Sequence, residues 1–287
     1  MANLKEIRTR ITSVSSTMKI TSAMKMVSAA KLKKAQENIE KLRPYAEKLN
    51  DLILDLSDKN NNDIGELGEE RSSKKALFVI FFSNRGLCGG FNSSMIKHLE
   101  GVSKNQFKDY DQSIFCVGKK GFEILKRKKH NILKTETNIL NDPTFICSSK
   151  ISDELTTLFL EKKFDKIIVI FNKFKNAASQ VPQHEQLLPI SNPSKEKENQ
   201  PTDYLFEPGK TKIIKHILPK SVKTKLFKCL LESIASEHGA RMTAMHKATD
   251  NAQELKDGLK LTYNRQRQAA ITGEILEIVA GAEALNT

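Results

Sequence analysis

Apolar side chains open the chain with a regular step. Leu4, Ile7, Ile11, Val14 and Met18 advance by alternating threes and fours, and the same register returns at Leu32, Ala35, Ile39, Leu42, Ala46, Leu49, Ile53 and Leu56. A stripe of that period predicts one long coiled-coil helix over residues 1–56, roughly 75–80 Å long at 1.5 Å per residue. Pro44 is its internal blemish and is expected to kink the helix or limit its length. The stripe fails between residues 20 and 30. There Thr21, Lys25 and Ser28 hold the heptad positions, while Ile20, Ala23, Met24, Val27 and Ala30 form a displaced apolar face. Two readings stay open: local repacking on a neighbouring domain, or a turn of helix that faces a different partner from the rest.

The pattern changes after the polar stretch 57–73, which reads as a linker. Residues 76–82, 113–117 and 166–171 are short β-rich apolar runs, and residues 95–106, 121–129 and 152–162 between them have helical spacing. Alternation of this kind predicts an α/β domain over residues 57–207 with a mostly parallel sheet. A second polar stretch, 191–203, closes it as a loop. From about residue 208 helical spacing returns at Leu226, Leu230 and Ile234, then at Met245, Ala248, Ala252, Leu255 and Leu259. It ends on Ile271, Ile275, Ile278, Ala282 and Leu285. A second coiled-coil helix over residues 208–287 gives the first a partner. The predicted architecture is therefore an antiparallel coiled coil of the two terminal helices with the α/β domain inserted at its side.

Charge adds one feature. The net charge is +13, and residues 1–36 carry eight Lys and Arg against the single acid Glu6. A basic arm suits nucleic acid, anionic lipid or an acidic protein surface. The absence of Trp and an aromatic content of 6% leave little for base stacking, which disfavours a nucleic-acid-binding protein. The longest apolar run, seven residues at 76–82, is far short of the roughly 20 that a spanning helix needs. Cys88, Cys116, Cys147 and Cys229 form no CxxC pair and fit reduced thiols.

Candidate chemistry is thin. The turn SNRGLCGGFN (83–92) follows the first strand, but its glycines fall as G-x-x-G-G, neither the dinucleotide fingerprint nor a P-loop. A tight turn explains them better, and this disfavours a nucleotide-dependent enzyme built on the domain. Cys88 reads as a packed thiol, and the six histidines show no ligand spacing. No catalytic constellation, metal site or cofactor site is expected, so the chain does not read as an enzyme by itself.

Four separated motifs, in order, carry a resemblance. The run 7–27 with its TMKITSAMKMV core, the SNRGLCGGFN turn, the stretch SEHGARM (236–242) leading to TDNA (249–252), and YNRQRQ (263–268) continuing through ITGEILEIVAGA (271–282) resemble the gamma subunit of F-type ATP synthases. The resemblance implies a Rossmann-like α/β domain without a nucleotide, and a coiled-coil shaft turning inside a hexamer of alpha and beta subunits. It also implies contacts of the domain with the epsilon subunit and the c ring, with torque rather than chemistry carried by this chain. Met24 and Lys25 fall where the family meets an acidic loop of beta. The family often has an acid where this chain has Lys25, which puts coupling efficiency in question. Arg241, Gln268, Thr272, Glu274 and Glu277 fall on positions used for polar contacts between shaft and hexamer or within the shaft. Glu274 and Glu277 also fit plain solvated charges. The small apolar end, 280–285, suits a bearing. The family's regulatory cysteine pair has no counterpart in residues 191–228, and its first motif begins near Met1. Both imply a bacterial subunit, peripheral on the cytoplasmic side of the inner membrane.

Overall fold

The computed structural model describes residues 4–56, 65–177, 179–190, 207 and 209–285. Helix α1 spans Leu4–Leu56 and passes through Pro44 without ending. Pro44 is exposed, so its missing N–H and its ring face water, and packing on either side of it holds the helix together. The domain that follows runs β1 (Lys75–Phe81), α2 (Phe91–Gln106), β2 (Asp111–Val117), α3 (Lys119–Arg127), β3 (Ile132–Glu136), α4 (Phe145–Leu160), β4 (Lys166–Phe174) and β5 (Gln180–Leu188). Helix α5 is a single element from Lys210 to Leu285, with Pro219 near its start.

The sheet order is β3-β2-β1-β4-β5, with the first four strands parallel and β5 antiparallel to β4. Residues 76–82 are all at most 2% exposed, because β1 is central and covered on both faces, which is why its sequence is unbroken apolar rather than alternating. Ala76, Phe78, Ile80 and Phe82 share one face with Met95 and Leu99 of α2 and Leu125 of α3. Strands β3 and β5 do not stand out in the sequence, and the structure shows why. Both are edges: β3 has half-covered and exposed residues and none buried, and β5 carries Pro182 and five polar side chains. Helix α4 begins earlier than its periodicity suggests, because Thr144 caps it by accepting the N–H of Cys147 at 3.3 Å.

Of the polar stretch 57–73, residues 57–64 lie outside the described ones, as does the stretch 191–203. Residues 65–73 are pinned rather than loose. A 3-10 turn covers Gly65–Gly68, and the Arg71 guanidinium donates to Glu69, stacks 4.5 Å over the Phe159 ring and hydrogen-bonds the Phe159 carbonyl.

Packing divides the chain into two compact units, residues 28–241 and residues 1–27 with 242–287. In the larger unit, Leu226, Cys229, Leu230, Leu231, Ile234 and Ala235 are all buried, too many for one stripe. A helix apolar all round has neighbours all round. Ser236 ties this stretch to the sheet by donating to the Asn172 carbonyl at 2.9 Å. In the smaller unit the helices run antiparallel, since Thr21 meets Thr249 and Lys25 meets His246.

Candidate functional site

The smaller unit shows how the heptad continues through its polar gap. Ile7, Ile11, Val14, Met18, Thr21 and Lys25 are all covered or half-covered, while Ile20, Met26 and Val27 are 61%, 65% and 58% exposed. The seam therefore keeps its register with polar residues, and the displaced apolar face turns outward. Met24 is half-buried. Thr249 donates to the Thr21 hydroxyl at 2.8 Å, which in turn donates to the Met18 carbonyl at 3.1 Å. Lys25 Nζ lies 3.3 Å from His246 Nδ1, and that nitrogen is also 3.3 Å from Asp250 Oδ2. Nδ1 accepts from Lys25 when it carries no hydrogen and donates to Asp250 when it carries one, so the two contacts are alternatives. Lys25 thus sits on the seam rather than on the outward face.

On α5 the half-buried positions continue as Ala252, Lys256, Leu259, Tyr263 and Gln266, and Leu255 points off the seam at 56% exposure. The antiparallel pairs place Leu4 level with about residue 266 at equal rise on both helices. Beyond that point every described side chain except Gly273 is exposed, including Ile271, Ile275, Leu276, Ile278 and Val279 at 48–72%. The expectation that the other terminus covers Ile271 onwards is therefore not met: α1 is too short to reach it. At about 100° per residue, these five residues fall in one arc of about 160°. Gln268 and Thr272 lie inside that arc and Glu274 and Glu277 outside it. Thr272 donates to the Gln268 carbonyl at 2.9 Å, and all four side chains are exposed.

Arg241 belongs elsewhere. It is buried in the larger unit, where Nη1 donates to Glu237 Oε1 at 2.7 Å and Nη2 to the Arg85 carbonyl at 3.1 Å. Arg241 thereby rivets α5 to the glycine-rich turn. His238 Nδ1, 3.4 Å from Nη1, accepts from it only as a neutral ring. Burial first, then Arg241 and Lys31, pushes His238 down to about 4. Burial raises the Glu237 carboxyl above its usual range against the opposing pull of Arg241 and Lys31. The resemblance pointed to Arg241 but not to Glu237, His238 or Arg85. The i,i+4 spacing of Glu237 and Arg241 was the available signal.

The turn itself is filled by its own side chains. Asn92 accepts from the Ser83 N–H at 3.1 Å and donates to the Ser83 hydroxyl at 2.7 Å, and Ser83 donates to the Arg85 carbonyl at 2.8 Å. Cys88 is 2% exposed beside them, packed with Phe91 and Ala240. Gly89 has φ +58°, a left-handed angle that glycine adopts freely. Among the described residues no group of His, Cys, Asp and Glu is arranged to hold a metal ion.

The fold thus defines a helix–sheet–helix protein whose accessible features are helix surfaces. A family model described as ATP synthase matches residues 3–285. The chain is 56% identical to an ATP synthase gamma chain of Christiangramia forsetii and 55% identical to one of Flavobacterium johnsoniae, over the full length of each pair. Among solved structures it resembles a chain of the Tetrahymena thermophila mitochondrial ATP synthase central stalk and c ring (25% identity, TM-score 0.58, 80% of this chain and 99% of that one). A chain of the Euglena gracilis mitochondrial enzyme shares the fold with a TM-score of 0.69 at 20% identity, covering 98% and 94%. The chain belongs to the gamma-chain family of ATP synthase. Its two long terminal helices and central sheet are the fold of that enzyme's central stalk, the rotor part that transmits torque.

Proposed function

We propose that the chain carries torque without performing chemistry of its own. In this reading the terminal helices, 1–56 and 208–287, form the shaft inside the alpha and beta subunits. The α/β domain, 57–207, meets the epsilon subunit and the c ring at the foot. The observation that carries this is the uncovered end of α5. Five large apolar side chains on one arc of a helix end that no described residue covers are stable in water only at a penalty, and a surrounding collar removes it. Gln268 and Thr272 share that arc and would touch the collar, whereas Glu274 and Glu277 face away from it. The outward Ile20, Met26 and Val27, beside Met24 and Lys25, would meet an acidic beta loop that the local positive charge complements. No described helix is long and apolar enough to cross a membrane. Attachment would run through the complex, on the cytoplasmic side of a bacterial inner membrane.

The test is recovery of the tagged chain from detergent-solubilised membranes. Co-purification of alpha, beta and epsilon with magnesium-dependent ATPase activity is expected, and recovery of the chain alone refutes the reading. Lys25→Glu then tests the beta contact: ATPase rate or the ratio of ion pumping to hydrolysis should change, and an unchanged complex removes Lys25 from it.

A further inference from the structure

A cavity of about 460 Å³ lies within the larger unit, between α1, the β4–β5 edge and α5. Its α1 wall offers the apolar Ile39, Leu42, Ala46 and Leu49, with Arg43 and Glu47 beside them. Across from it Lys173 of β4 and Lys228 of α5 stand around Glu232, whose charge Arg43 also reaches. Glu232 is only 9% exposed, and its Oε2 has no hydrogen-bond partner among the described residues. The three cations form no ion pair or hydrogen bond among the described residues, although their charges reach Glu232. Lys225 is already engaged, donating to the Gln186 carbonyl at 2.7 Å and lying 3.6 Å from Glu185.

We propose that this cavity is a binding site for a small amphipathic organic anion, its carboxylate held by Arg43, Lys173 and Lys228 and its hydrocarbon body laid along the α1 wall. Size is the first reason. Water occupies about 30 Å³ in the liquid, so the space is many waters wide and within the range of small-molecule sites. Water would satisfy the cations but leaves four aliphatic side chains wet. Charge is the second reason. Lys225 and Glu185 offset one another, which leaves Arg43, Lys173 and Lys228 against Glu47 and Glu232. Burial raises Glu232, with Glu185 adding to the rise while Lys228, Lys173 and Arg43 oppose it. The lining then has an excess of positive charge even with every carboxyl ionised, which suits an incoming carboxylate. A cationic ligand would meet three unpaired cations, and a bare inorganic anion would leave the apolar wall unused.

The probe is octanoate, with a diazirine-bearing analogue for photolabelling the full chain in detergent-free buffer. Labelling is expected within residues 39–49 or 221–232, with protection by octanoate and at least about tenfold weaker protection by octanol or inorganic phosphate. The Arg43→Gln/Lys228→Gln pair should weaken octanoate at least about tenfold. Lys134→Gln, whose partner is Glu154, should leave it unchanged. Equal protection by octanol reduces the site to a greasy gap and overturns the proposal. Equal protection by phosphate, or labelling spread elsewhere, also overturns it. Should the double variant fold poorly, the competition on the native chain decides alone.

Discussion

Removing the Arg241 guanidinium while keeping its length, as Arg241→Met, isolates a buried carboxylate. Arg241 and Glu237 are both about nine-tenths buried and 2.7 Å apart. Without its partner, Glu237 must either stay charged in a poor environment or take up a proton. Protonation sets the ceiling. From an ordinary value of 4.5 to pH 7 it costs about 3–4 kcal/mol, and at pH 5 less than about 1 kcal/mol. The unpaired Arg85 carbonyl adds about 1 kcal/mol at either pH. His238 is held neutral first by burial and then by Arg241, so losing Arg241 also shrinks the cost toward acid. The larger unit should therefore lose about 4–5 kcal/mol at pH 7 but only about 2 kcal/mol at pH 5. Adding Glu237→Gln should remove most of the pH-dependent part. The assay is urea unfolding of the full chain, followed by hydrogen exchange in the β1 peptide at both pH values. A cost that is the same at pH 5 and pH 7, or that Glu237→Gln leaves untouched, refutes the view that Arg241 chiefly compensates a buried charge.

Three further outcomes follow from single sites. His238 titrates near 4 in the fold against an ordinary 6.5, so its stabilisation is full above about 6.5 and is withdrawn as pH falls toward 4. It amounts to at most about 3 kcal/mol. Glu237, with its raised value, acts in the opposite sense, so the drop should be read as the difference between native chain and His238→Gln, which flattens it. A Cβ at Gly121 would stand 1.9 Å from Phe82 Cδ2, against a ring that is 1% exposed and held in the core. Gly121→Ala should cost about 1–3 kcal/mol and lower the melting temperature by several degrees; an unchanged melting point would show that α3 shifts freely. Ile275→Ser with Ile278→Ser should leave the isolated chain within about 0.5 kcal/mol of the native one, since both are already exposed. The same pair should weaken assembly with alpha and beta more than Glu274→Gln with Glu277→Gln does, and equal effects from both pairs would remove the assigned arc.

The terminal helices were legible because their period is local: each heptad step is visible without knowing its neighbour. The same stripe hid two things. It did not show that residues 229–237 are enclosed on every side, since Cys229, Leu231 and Ala235 fall between the heptad positions. Nor did it show that Ile271 and its successors have no partner, because that depends on where α1 starts relative to α5. Strand β1 was plain as an unbroken apolar run, whereas β3 and β5 were hidden by the mixed polarity that edges carry. At the candidate site, the resemblance supplied positions and the structure supplied partners. Arg241 proved to hold the SNRGLCGGFN turn, a contact 156 residues apart in sequence that no spacing rule reveals.

The end of α5 also shows why its helix needs a partner to be more than marginal. Residues 267–282 make no seam with any described residue, so their helicity rests on local propensity. Ala269, Ala270, Ala280 and Ala282 favour it, but Gly273 and Gly281 each cost about 1 kcal/mol relative to Ala, and Ile271, Ile275, Ile278 and Val279 lose rotamer freedom in a helix. An isolated helix of this length sits near the balance point in water. The same β-branched residues that weaken it alone present stiff, large apolar surfaces to whatever encloses it. Each contributes about 1.5–3 kcal/mol when fully covered. The composition therefore places this segment's order largely in the hands of its surroundings. A segment meant to stand free in water would be expected to carry more charge on that arc.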